Sequence, residues 1–326
     1  MARSAHRAGQ ARPDVERELR SEGSENGPRV GRGVSRFLDT ASPEALFVLS
    51  AVFQYVGATI AVLLFDEVPP QSVAWLRMVG AAIAVLGVVG LAGGRAWRGW
   101  TRRELAAAAA FGIATAAMNT FFYLAIDRTD LGKSVAIEFI GPVVVAAAMT
   151  RTPRNAGALA LAATGVIVLG GVELGDNLTG LLYLLAASAC WAAYIVIGSR
   201  VARLGRGVAG LGIGLGIGAL VLTPFGAPGS GPAWTSAALL GSCLLVGVFS
   251  NAIPYGIDQF VLRRIPMRRF SLLLALLPVT AVVIAWIGLD QRPSALDVTG
   301  IALVLLGVAL QEREELANEL AIPEPS

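Results

Sequence analysis

From about residue 44 to residue 311 the chain is a series of apolar windows separated by short polar gaps. Crossing a hydrocarbon core of about 30 Å takes about 20 apolar residues in a helix. Ten windows meet that requirement, at 44–65, 71–93, 104–126, 131–150, 154–171, 178–199, 207–226, 235–262, 267–289 and 294–311. The pattern predicts an all-α membrane protein with ten transmembrane helices.

The polar gaps alternate in charge. Arg3 through Arg36, then Arg95, Arg98, Arg102 and Arg103, then Arg151 and Arg154, then Arg200, Arg203 and Arg206, and then Arg263, Arg264, Arg268 and Arg269 fall on one side of the predicted bilayer. The other side holds only Arg128, Lys133 and Arg292, and carries Asp66, Glu67, Asp127, Asp130, Glu173, Asp176 and Asp290. Basic residues in short loops stay on the cytoplasmic side, so both termini are expected in the cytoplasm, as an even number of spans requires. Residues 1–43 mix Arg, Glu, Gly and Ser with few apolar side chains, which reads as a disordered cytoplasmic tail and not a signal peptide. Residues 312–326 read as a solvated cytoplasmic extension of the last helix.

Composition narrows the function classes. The chain is 55% hydrophobic and 15% charged, whereas a soluble globular chain is roughly 45–50% apolar and 25% charged. Its one histidine, His6, lies in the polar tail, and Cys190 and Cys243 lie within apolar runs without metal-ligand spacing. No metal, cofactor or catalytic residue is expected. The net charge of +3 comes from Arg residues beside the spans, so the bilayer explains it without a nucleic-acid partner.

The chain also aligns with itself. LGKSVAIEFIGPVVVAA (131–147) lies over MRRFSLLLALLPVTAVV (267–283) with Pro142 on Pro278, and ALFVLSAVFQY (45–55) lies over YLLAASACWAA (183–193) at nearly the same offset. Residues 44–171 and 178–311 are thereby expected to be two five-helix repeats. An odd number of helices per repeat inverts the second in the membrane, the arrangement of many secondary transporters.

Polar side chains at membrane depth are costly and mark candidate sites. Glu138 lies about seven residues into the fourth span, with Ser134 and Pro142 at i−4 and i+4. Pro142 frees a backbone carbonyl near mid-membrane, and Pro254 and Pro278 are candidate helix breaks in later spans. Asn251, Tyr255, Asp258 and Gln259 fall on one face of the eighth span, Thr115, Asn119 and Tyr123 on one face of the third, and Ser50 and Gln54 on one face of the first. Spans five and ten are almost wholly apolar, with Thr164 their main interior polar group, and are expected to act as scaffold around a pathway enclosed by spans one to four and six to nine. The ladder Gly210, Gly214 and Gly218 serves either internal packing or a homodimer.

Structural readings stand beside these. Glu138 could pair with Arg77, six residues into span two, or Arg77 could snorkel outward. Asp258 could snorkel toward Arg263. Lys133, the only lysine, reads as an interface anchor, and Asn119, Gln54 and Asn251 as interhelical hydrogen-bonding groups. Trp191 could be a packing aromatic.

The segments AMNTFFYLAI (117–126), VAIEFIGPVVVA (135–146), SACWAAYIVIG (188–198) and NAIPYGIDQFVLRRIPMR (251–268) resemble the EamA-type branch of the drug/metabolite transporter superfamily and, within it, bacterial inner-membrane threonine and homoserine exporters. The resemblance covers about residues 44–311. It implies two inverted repeats in the bacterial inner membrane and efflux of small amino acids by proton exchange. Asn119, Tyr123, Glu138 and Pro142 match the first repeat, and Trp191, Pro254, Tyr255 and Asp258 the second. Asp258 stands where the exporters tend to carry Glu, and Leu277 replaces a Glu that they place before the proline of span nine.

The implied mechanism is that one carboxylate, Glu138, holds either a proton or the substrate ammonium. Arg77, Asn119 and Tyr123 are then candidates for the substrate carboxylate. Three rivals are set against it. A phosphate-reading carrier would need more cations than Arg77 at depth. A cationic-drug exporter fits Glu138 but favours more aromatic residues than the 7% present. The rival of another class is a membrane enzyme or receptor without transport, and an enzyme would need a nucleophile, base or metal cluster that the sequence pattern does not display.

Overall fold

A computed structural model describes residues 40–91, 99–149, 153–173, 177–202, 207–262, 264 and 276–320. The chain divides into Met1–Leu46 and Phe47–Ser326, and the second unit carries the site. The arginines at 95, 98, 151, 203, 206, 263, 268 and 269, and most of the N-terminal tail, lie outside the described residues.

Every regular element among the described residues is helical. In chain order they are α1 (Pro43–Leu64), α2 (Pro70–Leu91), α3 (Arg102–Ile126), α4 (Leu131–Glu138), α5 (Ile140–Met149), α6 (Pro153–Glu173), α7 (Leu178–Ala202) and α8 (Gly207–Gly226). A short 3-10 turn (Gly231–Thr235) follows, then α9 (Ala237–Gly247), a π-helical segment (Val248–Ala252), α10 (Ile253–Leu262), α11 (Leu276–Leu289) and α12 (Ala295–Leu320). Among the described residues six stretches are long and apolar enough to cross a membrane: Pro43–Leu64, Pro70–Leu91, Arg102–Ile126, Leu178–Ile197, Gly207–Gly226 and Ala237–Asp258. Ala156–Gly165, Leu276–Leu289 and Ala295–Gly307 are shorter apolar pieces.

Six span-length helices are fewer than the ten windows of the sequence pattern, and one difference has a local cause. Pro142 has no N–H to give to the Glu138 carbonyl and its ring crowds that turn. The window 131–150 is accordingly interrupted at Phe139, leaving α4 and α5 with 8 and 10 residues. Span nine is described only from Leu276, and Pro278 is the third residue of that described stretch.

Side-chain caps open α3 and α12. Thr101 Oγ1 accepts from the Glu104 N–H at 3.2 Å and Glu104 Oε2 accepts from the Thr101 N–H at 2.8 Å, satisfying two orphan donors of α3. Ser294 and Asp297 do the same for α12, at 3.2 and 2.8 Å.

Packing relies on small residues, as expected where lipid competes with every apolar contact. A Cβ on Gly218 would meet the Gly112 carbonyl at 2.6 Å and one on Gly214 the Ala108 carbonyl at 2.9 Å, so the ladder brings α8 onto the backbone of α3. Gly212 faces Leu86 of α2. The glycine ladder is thus used within the chain. Helices α6 and α12 pack on each other, with Gly165 against the Gly300 carbonyl and Gly307 against the Ala158 carbonyl. Thr164 is exposed and donates to Ala160 of its own helix at 2.8 Å. The buried polar group in this pair is a different one from the expected Thr164: Asp297, in the first turn of α12.

Candidate functional site

The backbones of α2 and the α9–π segment touch. A Cβ on Gly80 would overlap the Leu244 carbonyl, and one on Gly247 the Arg77 carbonyl. That approach places the π segment beside Arg77, and the π turn presents Ser250 and Asn251, both buried. The Arg77 guanidinium donates through Nε to Asn251 Oδ1 and through Nη2 to the Ser250 carbonyl at 3.4 Å. Ser250 is four residues before Pro254, so its carbonyl has lost its ordinary α-helical donor. Arginine takes the place of that missing N–H. The same guanidinium stands 4.9 Å from the Tyr123 ring centroid, within cation–π reach.

Arg77 therefore does not snorkel. It is 5% exposed and held by α3 and the π segment, and it makes no ion pair with a described residue.

Glu138 ends α4 at the Phe139 break and is buried, with no hydrogen bond or ion pair to any described residue. Arg77, Tyr55, Tyr255 and Cys190 are the groups within electrostatic range of it. A direct Glu138–Arg77 salt bridge is absent among these residues. Asp258 is instead partnered: Ser50 Oγ donates to its Oδ1 at 2.7 Å and also lies 3.3 Å from the Pro254 carbonyl. Arg263, its expected partner, lies outside the described residues. Tyr255 lies within electrostatic range of Arg77, Asp258 and Glu138.

The other expected residues take lesser positions. Asn119 gives its amide N–H to the Thr115 carbonyl of its own helix at 2.8 Å. Gln54 takes part through its backbone carbonyl, which accepts from Ser250 Oγ at 3.2 Å. Trp191 stands edge-on to Phe139 at 4.9 Å, closing the side of the α4–α5 break. Leu277 is buried. Gln259 has no described side chain. Lys133 is not a simple interface anchor: its Nζ pairs with Asp130 at 2.9 Å and with the buried Asp297 at 3.4 Å. Tyr55 and Tyr194 were not expected at the site. Tyr55 is buried near Glu138, and Tyr194 packs on Phe111 at 4.7 Å near Asp258. Their sequence signal was no more than an aromatic residue in an apolar run.

By fold and site this is a multi-pass helical membrane protein with a charged cluster buried between its helices, the arrangement of a transporter. Residues 178–311 match the EamA-like transporter family. The chain is 30% identical over 290 residues to the threonine/homoserine exporter RhtA of Salmonella typhimurium (strain LT2), covering 87% of this chain and 96% of that protein. It is 32% identical over 266 residues to the protein of the same name from Escherichia coli (strain K12), covering 79% and 88%. The chain belongs to the EamA-like transporter family. One solved crystal structure shares its fold, with a TM-score of 0.58 and 18% identity, covering 86% of this chain and 99% of the other.

Proposed function

We propose that this chain exports small hydrophilic amino acids of the threonine/homoserine kind across the bacterial inner membrane, in exchange for protons. The observation that carries the reading is Glu138: a buried carboxylate at a helix break, with no hydrogen-bonding partner among the described residues and a cation, Arg77, within electrostatic range. A carboxylate so placed binds either a proton or an ammonium group, and that exclusivity is what an antiporter requires. The substrate amine displaces the proton from the cytoplasmic side, and a proton displaces the amine after release outside. Arg77, Asn119, Tyr123, Tyr255, Asp258, Gln54 and Trp191 are the further substrate-binding residues of this reading, with Pro142, Pro254 and Pro278 as the helix breaks. The names of the relatives, threonine/homoserine exporters, support the substrate class.

The architecture belonging to this reading is ten spans, built as inverted repeats over residues 44–171 and 178–311, with both termini cytoplasmic. Reporter fusions at residues 95–103, at 263–269 and at the C-terminus test it, and a periplasmic C-terminus breaks it.

The transport reading is tested in reconstituted vesicles. Efflux of preloaded threonine should accelerate when an inward proton gradient is imposed, and efflux indifferent to the gradient removes the proton from the mechanism. A lipophilic organic cation that competes with threonine at equal concentration would favour the second reading, a cationic-drug exporter using the same acid.

A further inference from the structure

The donors around Arg77 outnumber the acceptors. A guanidinium has no acceptor atom, so Asn251 must present its amide oxygen to Nε, and its NH₂ group is turned away. That nitrogen, Asn251 Nδ2, is buried and has no hydrogen-bond partner among the described residues. The Tyr123 hydroxyl is buried too, and Arg77 and Ser250 sit beside it without completing a hydrogen bond of good geometry. Of the guanidinium itself, Nη1 donates to no described residue. Two buried polar atoms, Asn251 Nδ2 and Tyr123 Oη, thus lack a hydrogen-bond partner among the described residues, beside a cation that has no anion paired with it among them. Buried donors are almost always satisfied, and a buried cation without an anion is costly to hold.

We infer that Arg77 Nη1, Asn251 Nδ2 and Tyr123 Oη form a carboxylate-binding cradle that takes the acid end of the transported molecule.

The inference rests on the amino-acid reading above and gives the substrate an orientation, with its carboxylate on Arg77 and its ammonium toward Glu138. A zwitterion bound this way adds no net charge to a buried site. A single guanidinium matches a monoanion, whereas a phosphate dianion would call for further cations. Asn119 is not part of the cradle, because its N–H is given to Thr115. The π segment is the positioning device: its wide turn sets Asn251 against α2, and Pro254 leaves the Ser250 carbonyl to hold the guanidinium in place.

The test uses the full-length protein purified in detergent, and reads ligand affinity by calorimetry for threonine, threoninamide and lactate. Threoninamide keeps the amine and lacks the anion; lactate keeps the anion and lacks the amine. Wild type should prefer threonine over threoninamide by at least about tenfold, the scale of a charge-assisted hydrogen bond. Asn251→Asp keeps the contact to Arg77 but puts an acceptor where Nδ2 was. It should weaken threonine by about tenfold or more and leave threoninamide unchanged. Wild type that does not distinguish threonine from threoninamide overturns the cradle, as does Asn251→Asp with wild-type affinity for threonine. If threonine does not bind at all, the amino-acid reading fails and lactate decides the cradle: binding that Asn251→Asp abolishes supports it, and no binding overturns it. Should Asn251→Asp fail to fold, Tyr123→Phe replaces it, and unchanged selectivity for threonine in that variant counts against the cradle.

Discussion

Two stretches of this chain set an acid four residues from a proline, in opposite order. In the α4–α5 stretch Glu138 precedes Pro142, so the acid sits on the residue whose carbonyl the proline leaves without a donor, and the helix stops there. In the α9–α10 stretch Asp258 follows Pro254, the freed carbonyl belongs to Ser250, and the chain passes through a π turn without stopping. The consequences differ. Arg77 covers the freed Ser250 carbonyl and Ser50 holds Asp258, whereas Glu138 has no described partner. The same pair of residue types thus yields one acid without a described partner and one held by a neighbouring hydroxyl.

The largest effect should come from Glu138→Gln. Gln preserves size and hydrogen bonding but carries no charge and cannot exchange a proton. Threonine efflux should fall to background while the amount of folded protein in the membrane stays near wild type. If Glu138 instead serves only to balance Arg77, the variant should be destabilised by the uncompensated cation, and Arg77→Gln combined with Glu138→Gln should restore both expression and export. Recovery in the double variant would break the contrast at its stronger end.

Next in size is Gly247→Val, which displaces the π segment without touching either acid. The new side chain would enter the Arg77 carbonyl and the Ala81 amide of α2. Overpacking of this kind costs about 1–3 kcal/mol. The melting temperature in detergent should drop and export should fall with it, because Arg77 loses its hold on Ser250 and Asn251. Full export at wild-type melting temperature would mean that this close approach is dispensable.

Asp258→Asn should matter less. Asn still offers an oxygen to the Ser50 hydroxyl, so the α1–α10 contact survives. Export is expected to decline by about tenfold at most, equivalent to about 1.4 kcal/mol. A fall to background would make Asp258 an exchanging acid in its own right and erase the difference between the two stretches.

What the sequence offered of this site lay within single helices. Helical periodicity put Ser134, Glu138 and Pro142 on one face and marked Pro142 as a helix break, whereas the interruption itself falls at Phe139, inside a window expected to be continuous. What could not be read were relations between helices. Arg77 and Asn251 are 174 residues apart, and nothing in either helix announces that they meet. Periodicity also misleads across the π segment. A regular helix puts Asn251, Tyr255, Asp258 and Gln259 on one face, but the wider turn rotates Asn251 toward α2 while Asp258 meets Ser50 on α1. The buried Asp297 escaped notice for a related reason. It opens a window that is otherwise apolar, where a lone acid reads as the end of a span, and only its pairing with Lys133 of α4 shows it to be interior.

That pairing supplies the smallest effect and the outer limit of the comparison. Lys133→Gln removes the ammonium from Asp297, whose second oxygen still accepts from the Ser294 N–H at 2.8 Å. Because the carboxylate keeps that partner, the loss should stay within about 1–3 kcal/mol, the range for leaving a buried polar group without its partner. Asp297→Asn in the same chain should return part of it, since no buried charge then remains unpaired. Export counted per folded molecule should equal wild type, because Lys133 joins the start of α4 to the start of α12, and this ion pair is separate from the cluster around Arg77. Thermal melting paired with efflux separates the two quantities. A Lys133→Gln protein that melts like wild type yet exports poorly would place this ion pair in the transport pathway, and the division between partnered and open acids would have to be redrawn around Asp297.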